Sequence, residues 1–191
     1  MRFLTYKILK VKIVYICYMK SLIVIIIMGI MIACNANKKI TDTENLSESS
    51  SICPSEGTCT LEVLKDKVFN IKTDEFGNSY PELIDGNKIV LKFSYNKNTI
   101  TDVEDDHYSE VVYLEFEEGL SSINLKNKDL SSVKAGFSRV CFCRGQTGTF
   151  PINIGHLNLS KLTDSTYQII FDFTITEVPQ VINSFDRTFK L

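Results

Sequence analysis

Between residues 166 and 176 every second side chain is large and apolar. Tyr167, Ile169, Phe171, Phe173 and Ile175 fall on one side of an extended chain, and Thr166, Gln168, Asp172, Thr174 and Thr176 on the other, with only Ile170 out of phase. A helix would scatter these apolar groups around its axis, whereas a half-buried strand gathers them on one face. The same period runs through Ile89, Leu91, Phe93 and Tyr95. Further strands are expected near 60–64, 67–73, 80–84, 108–117, 137–144 and 148–154. Many short strands with closely spaced turns predict an all-β fold, an antiparallel β-sandwich or small β-barrel. Residues 53–191 number 139, enough for the core of a single domain.

The turn chemistry allows one register to be written out. Gly155-His156 offers the glycine that a two-residue II′ turn wants first, pairing Ile154 with Leu157, Ile152 with Leu159 and Phe150 with Lys161. Phe76-Gly77-Asn78 and Asp85-Gly86-Asn87 read as further turns. Arg144-Gly145-Gln146-Thr147-Gly148 should connect two strands, and 120–134 is open between a short helix and irregular loop.

Ahead of this body, a lysine precedes the twelve residues from Leu22 to Ala33, none with a polar side chain, and cysteine follows. A bilayer span needs roughly 18 or more apolar residues. A secretory signal needs about 7 to 15, with a small residue at the cut. Residues 1–33 are therefore expected to be a signal peptide, with 1–18 either a long basic leader or an upstream misread start. Residues 35–52 are rich in Asn, Ser, Thr and charge and cannot bury enough apolar surface to order themselves. With Cys34 they form an expected flexible tether, 34–52, reaching on the order of 23 Å as a coil and roughly 60 Å fully extended.

Met31-Ile32-Ala33-Cys34 resembles the bacterial lipoprotein signal, departing from it at Met31, where Leu is commoner. The resemblance implies a diacylglyceryl thioether on Cys34, cleavage before it, and acylation of the new amine, with palmitate among the chains. Two or three acyl chains hold a protein stably at a membrane where one does so only marginally. Asn35 is not the Asp that retains such proteins at the inner membrane of enteric bacteria, so the resemblance favours the outer membrane of the cell envelope. The body is similar to uncharacterised Bacteroidetes lipoproteins in C-P-S-E-G-T-C (53–59), V-C-F-C-R-G-Q-T-G (140–148) and V-P-Q-V-I (178–182). That similarity implies no activity.

Charge narrows the partners. Five of the 21 basic residues and none of the 23 acidic ones precede Cys34, so the exported part carries 16 basic against 23 acidic side chains. Such a surface repels phosphate backbones, and nucleic acid is not an expected partner.

Cys53, Cys59, Cys141 and Cys143 remain in the body, an even number suited to an oxidising compartment. Residues i and i+2 of an extended strand lie about 6.6 to 6.8 Å apart at Cα, at the limit for a disulfide. A Cys141 to Cys143 bridge would be strained within a strand, so the leading expectation is that Cys53 and Cys59 cross-link to Cys141 and Cys143. The alternatives are a Cys53 to Cys59 bridge with a labile Cys141/Cys143 dithiol, and a four-thiolate metal site. C-x-C lacks the spacing of structural zinc or thioredoxin-like motifs.

Asp102, Glu104, Asp105, Asp106, His107 and Glu110 cluster ahead of a strand, but they match no calcium-loop spacing and read as a solvated loop. His156 is expected at a solvated turn tip. The 144–148 stretch lacks the spacing of a phosphate-binding loop, leaving Arg144 and Gln146 as candidate ligand or partner contacts at a loop tip. Phe171 and Phe173 read as core. No cofactor or metal is called for. The expected function is a membrane-anchored, non-enzymatic β domain that binds an unidentified protein or small molecule, or serves a structural role. The alternative is an exported enzyme or a thiol or metal protein acting through Cys141/Cys143 or a site without a recognisable motif.

Overall fold

All five in-phase residues from Tyr167 to Ile175 are buried, and Ile170 is exposed, in the computed structural model, which describes residues 53–100, 103, 105–119 and 122–191. The expected signal and tether, 1–33 and 34–52, lie outside the described residues. Among the described residues nine strands form, β1 (Gly57–Thr73), β2 (Ser79–Lys97), β3 (Tyr108–Glu117), β4 (Ser122–Lys126), β5 (Gly136–Cys141), β6 (Gly148–Pro151), β7 (Ile154–Lys161), β8 (Thr166–Thr174) and β9 (Ser184–Lys190), with a 3₁₀ helix at Asn127–Val133. They build two antiparallel sheets, β1-β2-β3-β5-β6 and β4-β7-β8-β9, with no closure into a barrel. Of the two architectures expected, the sandwich is the one present.

The core lies between the sheets. Phe93 of β2 stacks on Phe185 of β9 with ring centroids 4.2 Å apart, and Phe137 of β5 meets Phe173 of β8 at 6.1 Å. Ile89, Leu91, Phe93 and Tyr95 all face this core, as their alternation requires.

A second, smaller cluster of Phe69, Val90 and Tyr113 sits on the outer face of the five-stranded sheet. It exists because the β1–β2 hairpin bends. Lys65 pairs with Ile89 but Lys67 pairs with Asp85, so β2 carries two extra residues there, and Asp66 takes φ 55°. Asp85-Gly86-Asn87 is therefore a bulge within β2 and not the expected turn. Beyond it the hairpin folds back over β3, β5 and β6. Phe69 stacks on Tyr113 at 4.7 Å, its N–H donates to Glu115, and the N–H of Thr149 donates to Ser79. The arm does turn at Phe76-Gly77-Asn78, where Gly77 has φ +85° and Asp74 accepts from the N–H groups of Phe76 and Asn78.

The hairpin expected at Gly155-His156 is absent. Gly155 and His156 lie inside β7, opposite Phe173 and Asp172, while β6 and β7 belong to different sheets and join through Ile152 and Asn153. Glycine serves here for close approach. A Cβ on Gly155 would stand 2.3 Å from the carbonyl oxygen of Asp172. The undecided 120–134 region supplies β4 and the 3₁₀ helix, whose Leu130 and Val133 enter the core.

Candidate functional site at the β5–β6 tip

The disulfides expected to join Cys53 and Cys59 to Cys141 and Cys143 do not form. Cys53 bonds Cys59 and Cys141 bonds Cys143. The register shows why. Cys59 lies opposite Tyr95, Tyr95 opposite Glu110, and Glu110 opposite Arg139, so β2 and β3 separate the two cysteine segments. Three interstrand steps amount to about 14 Å, against a disulfide limit near 6.8 Å. The local Cys141–Cys143 bridge is reachable because β5 stops at Cys141 and the chain bends at Phe142, bringing the two Cα atoms to 5.1 Å.

Past this bend the tip is tightly ordered. The N–H of Gln146 donates to the Cys143 carbonyl at 3.0 Å, and the Thr147 hydroxyl donates to the Cys141 carbonyl at 2.8 Å. Gly145 supplies the left-handed turn residue, φ +71°. Phe142, pinned between the bridged cysteines, is 82% exposed, and Val140 before it is 51% exposed. Cys141, Phe142, Cys143 and Arg144 line an open recess of about 420 Å³.

A buried polar network braces this tip from below. Glu110 and Arg139 occupy positions in phase with Val112 and Phe137, so both side chains fall on the core side of their sheet. Arg139 donates through its guanidinium to the Gln146 side-chain oxygen at 2.7 Å and through Nε to the Tyr108 hydroxyl at 3.2 Å, and lies over the Tyr108 ring. That hydroxyl donates to Glu110. Glu110, fully buried, accepts the N–H groups of Val181 and Ile182 at 2.7 Å each. The Gln180 side chain then ties Ile175, Phe173 and Ile182 together. The 178–182 segment is thus fastened to β3, and β3 to the tip. Burial, reinforced by the hydrogen bond to Glu110, pushes the Tyr108 phenol up to about 12.

The two expected contact residues separate in role. Arg144 is exposed and faces the recess, whereas the Gln146 amide is engaged by Arg139 as a brace. Cys34 lies outside the described residues, as do Asp102 and Glu104. Asp106 accepts from the N–H of Ile100 at 2.8 Å and faces Lys97, and Glu110 is a buried anchor that belongs to no solvated loop. Among the described residues no group of three or more His, Cys, Asp or Glu side chains is placed to hold a metal ion. His156 sits within β7, its ring nitrogen 3.1 Å from the Asn124 side-chain oxygen. Tyr108, Arg139 and Gln180 were not among the expected site residues. Arg139 carries a signal in the sequence, a charge in phase with core Phe137, whereas Tyr108 and Gln180 carry none.

Comparison with protein-family models, with curated proteins and with solved structures found no match to the chain.

A second concavity of about 420 Å³ opens between the folded-back arm and the 3₁₀ helix, floored by Phe69, Ile71 and Ile152. Its lysines are engaged: Lys134 pairs with Glu115 and donates to the Phe69 carbonyl, and Lys72 faces Glu82. The Lys134 contact holds the arm to the sandwich, and the Lys72–Glu82 pair lies within the arm itself. At the tip, by contrast, Phe142 and Arg144 are both exposed.

Proposed function

We propose that the chain is a lipid-anchored cell-envelope protein, held through Cys34 at the outer membrane, whose β domain is a binding module that engages a protein partner through the β5–β6 tip. The observation that carries this reading is Phe142, four-fifths exposed and locked between two bonded cysteines beside Arg144. An aromatic anchor and a cation on a pre-ordered loop form the kind of contact that dominates protein interfaces, since little ordering entropy remains to be lost on binding. The anchor rests on the twelve-residue apolar run that ends at Cys34.

The test places a photo-crosslinking residue at position 142 and, as control, at Ile170, which is exposed on the outer face of β8. A discrete crosslinked protein from 142 and none from 170 supports the reading, and equal labelling from both overturns it. Replacing Cys34 by Ala should release the protein from the membrane fraction and abolish acyl labelling. Retention with unchanged processing overturns the anchor.

A further inference from the structure

The two disulfides are unlike in placement. Cys53 and Cys59 pack against the main core and close a seven-residue ring that runs into the start of β1. Cys141 and Cys143 enclose one residue, and the smallest loops constrain the unfolded chain least. Nor does the hairpin need that bridge for its shape. Arg139 pairs with Gly148, the hydroxyls of Ser138 and Thr149 bond at 2.7 Å, and Arg139–Gln146 and Thr147–Cys141 contacts close the loop. Cys141 and Cys143 are half-buried and line an open recess, and Arg144 lines the same recess. A neighbouring cation stabilises a thiolate, both as it leaves and as it attacks. The Thr147 hydroxyl stands 3.8 Å from the Cys141 sulfur.

We infer that Cys141–Cys143 is an exchangeable disulfide that oxidises a cysteine pair on the partner protein. The inference rests on the tip being the contact surface, with Phe142 gripping apolar chain near the client thiols. A client thiolate attacks Sγ of Cys143. The Cys141–Cys143 bond breaks, the electron pair leaves on Cys141 as thiolate, and a mixed disulfide joins Cys143 to the client. The client's second thiolate then attacks the client sulfur of that bond and releases Cys143 as thiolate. The client has lost two electrons and two protons, and the tip ends as two thiols. A small-molecule or protein disulfide, reduced in turn to two thiols, restores the bridge.

Full-length protein in detergent, held natively folded, is equilibrated with glutathione at graded ratios of thiol to disulfide, acid-quenched, alkylated and mapped by mass. Cys141 and Cys143 should open under conditions that leave Cys53–Cys59 intact, about tenfold faster, with strand content by circular dichroism unchanged. Cys141→Ser should accumulate a glutathione adduct on Cys143, and in cells a partner bound through Cys143 that reductant releases. Arg144→Ala should slow exchange by about threefold. Opening of both bridges together, or only in denaturant, overturns the inference, and an unaltered rate in Arg144→Ala overturns the role given to that residue. Glutathione needs no docking surface. If exchange fails while position 142 still crosslinks, the tip remains a contact surface without redox chemistry. If exchange succeeds without a crosslink, the oxidation of a partner through this surface is overturned.

Discussion

The Glu110 carboxylate divides its two oxygens between the backbone N–H groups of Val181 and Ile182, 2.7 Å from each. A charge buried at the end of a sandwich is tolerated only because every lone-pair direction that matters is met, here by two amides and the Tyr108 hydroxyl. Glu110→Ala strands both amides and should cost about 3 to 4 kcal/mol, while Glu110→Gln, which turns one acceptor into a donor facing an N–H, should cost about 2 kcal/mol. Urea unfolding measures the loss. Amide exchange should show Val181 and Ile182 losing protection ahead of the sheets, and uniform loss across the body would refute the local role.

Tyr108 must keep its proton to donate to Glu110. Its folded pKa, about 12, lies above the ordinary phenol value near 10, so the folded state holds the proton more tightly than the unfolded chain does. That contribution to stability is complete below about pH 10 and is lost as pH rises toward about 12. Wild-type stability should fall across this window more steeply than that of Tyr108→Phe, and the wild type should show one more late-ionising phenol by absorbance at 295 nm. Identical slopes would remove Tyr108 from the network.

Alternation made the strands legible, because burial on one face writes itself every second residue, as Tyr167 to Ile175 and Ile89 to Tyr95 show. It could not reveal Val90, which is buried on the opposite face only because a distant arm folds over it. The pattern reports that a residue has a buried side, and tertiary placement decides whether it has two. Gly155 misled for a related reason. Glycine followed by a polar residue fits a tight turn and fits equally a point where two backbones approach, and only the position of β8 separates these. Glu110 and Arg139 could be seen as charges in core phase, but their meeting through Tyr108 depended on a register the residues alone do not spell out.

The Gly155 contact makes the distinction measurable. Gly155→Ala places a Cβ against the Asp172 carbonyl, a backbone atom with no rotamer to yield, and should cost about 2 kcal/mol or more by forcing β7 from β8. At a hairpin tip the change would strain one turn and leave the pairing with β8 intact. Loss of amide protection at Phe173 and its neighbours in β8 is the expected sign of the strand contact.

The two disulfides should differ in what their removal does. In the chain-entropy model the seven-residue Cys53–Cys59 ring contributes about 2.4 kcal/mol and the three-residue Cys141–Cys143 ring about 1.6 kcal/mol. Replacing both members of each pair by alanine should therefore lower the melting temperature more at Cys53/Cys59, where the side chains also pack against the core. A greater loss from the Cys141/Cys143 pair would mean that the tip depends on its bridge, contrary to the bonds that already close it.

Phe69 tests whether the folded-back arm is a separate cooperative unit. Its ring is 1% exposed, stacked on Tyr113 and lying over Gly136, where an added Cβ would stand 2.6 Å from it. The other ties of the arm are few, namely Glu115 to the Phe69 N–H, Lys134 to its carbonyl, and Ser79 to Thr149. Truncating a buried Phe to Ala costs about 3 to 5 kcal/mol when the lost contacts are global, but an arm held at one hydrophobic point can open alone. Phe69→Ala should therefore strip exchange protection from the distal halves of β1 and β2 while Phe171, Phe173 and Phe185 keep theirs. Gly136→Ala, whose added Cβ presses on the same ring from the sheet beneath it, should do likewise. If either variant lowers protection equally in both sheets, the arm and the sandwich unfold as one.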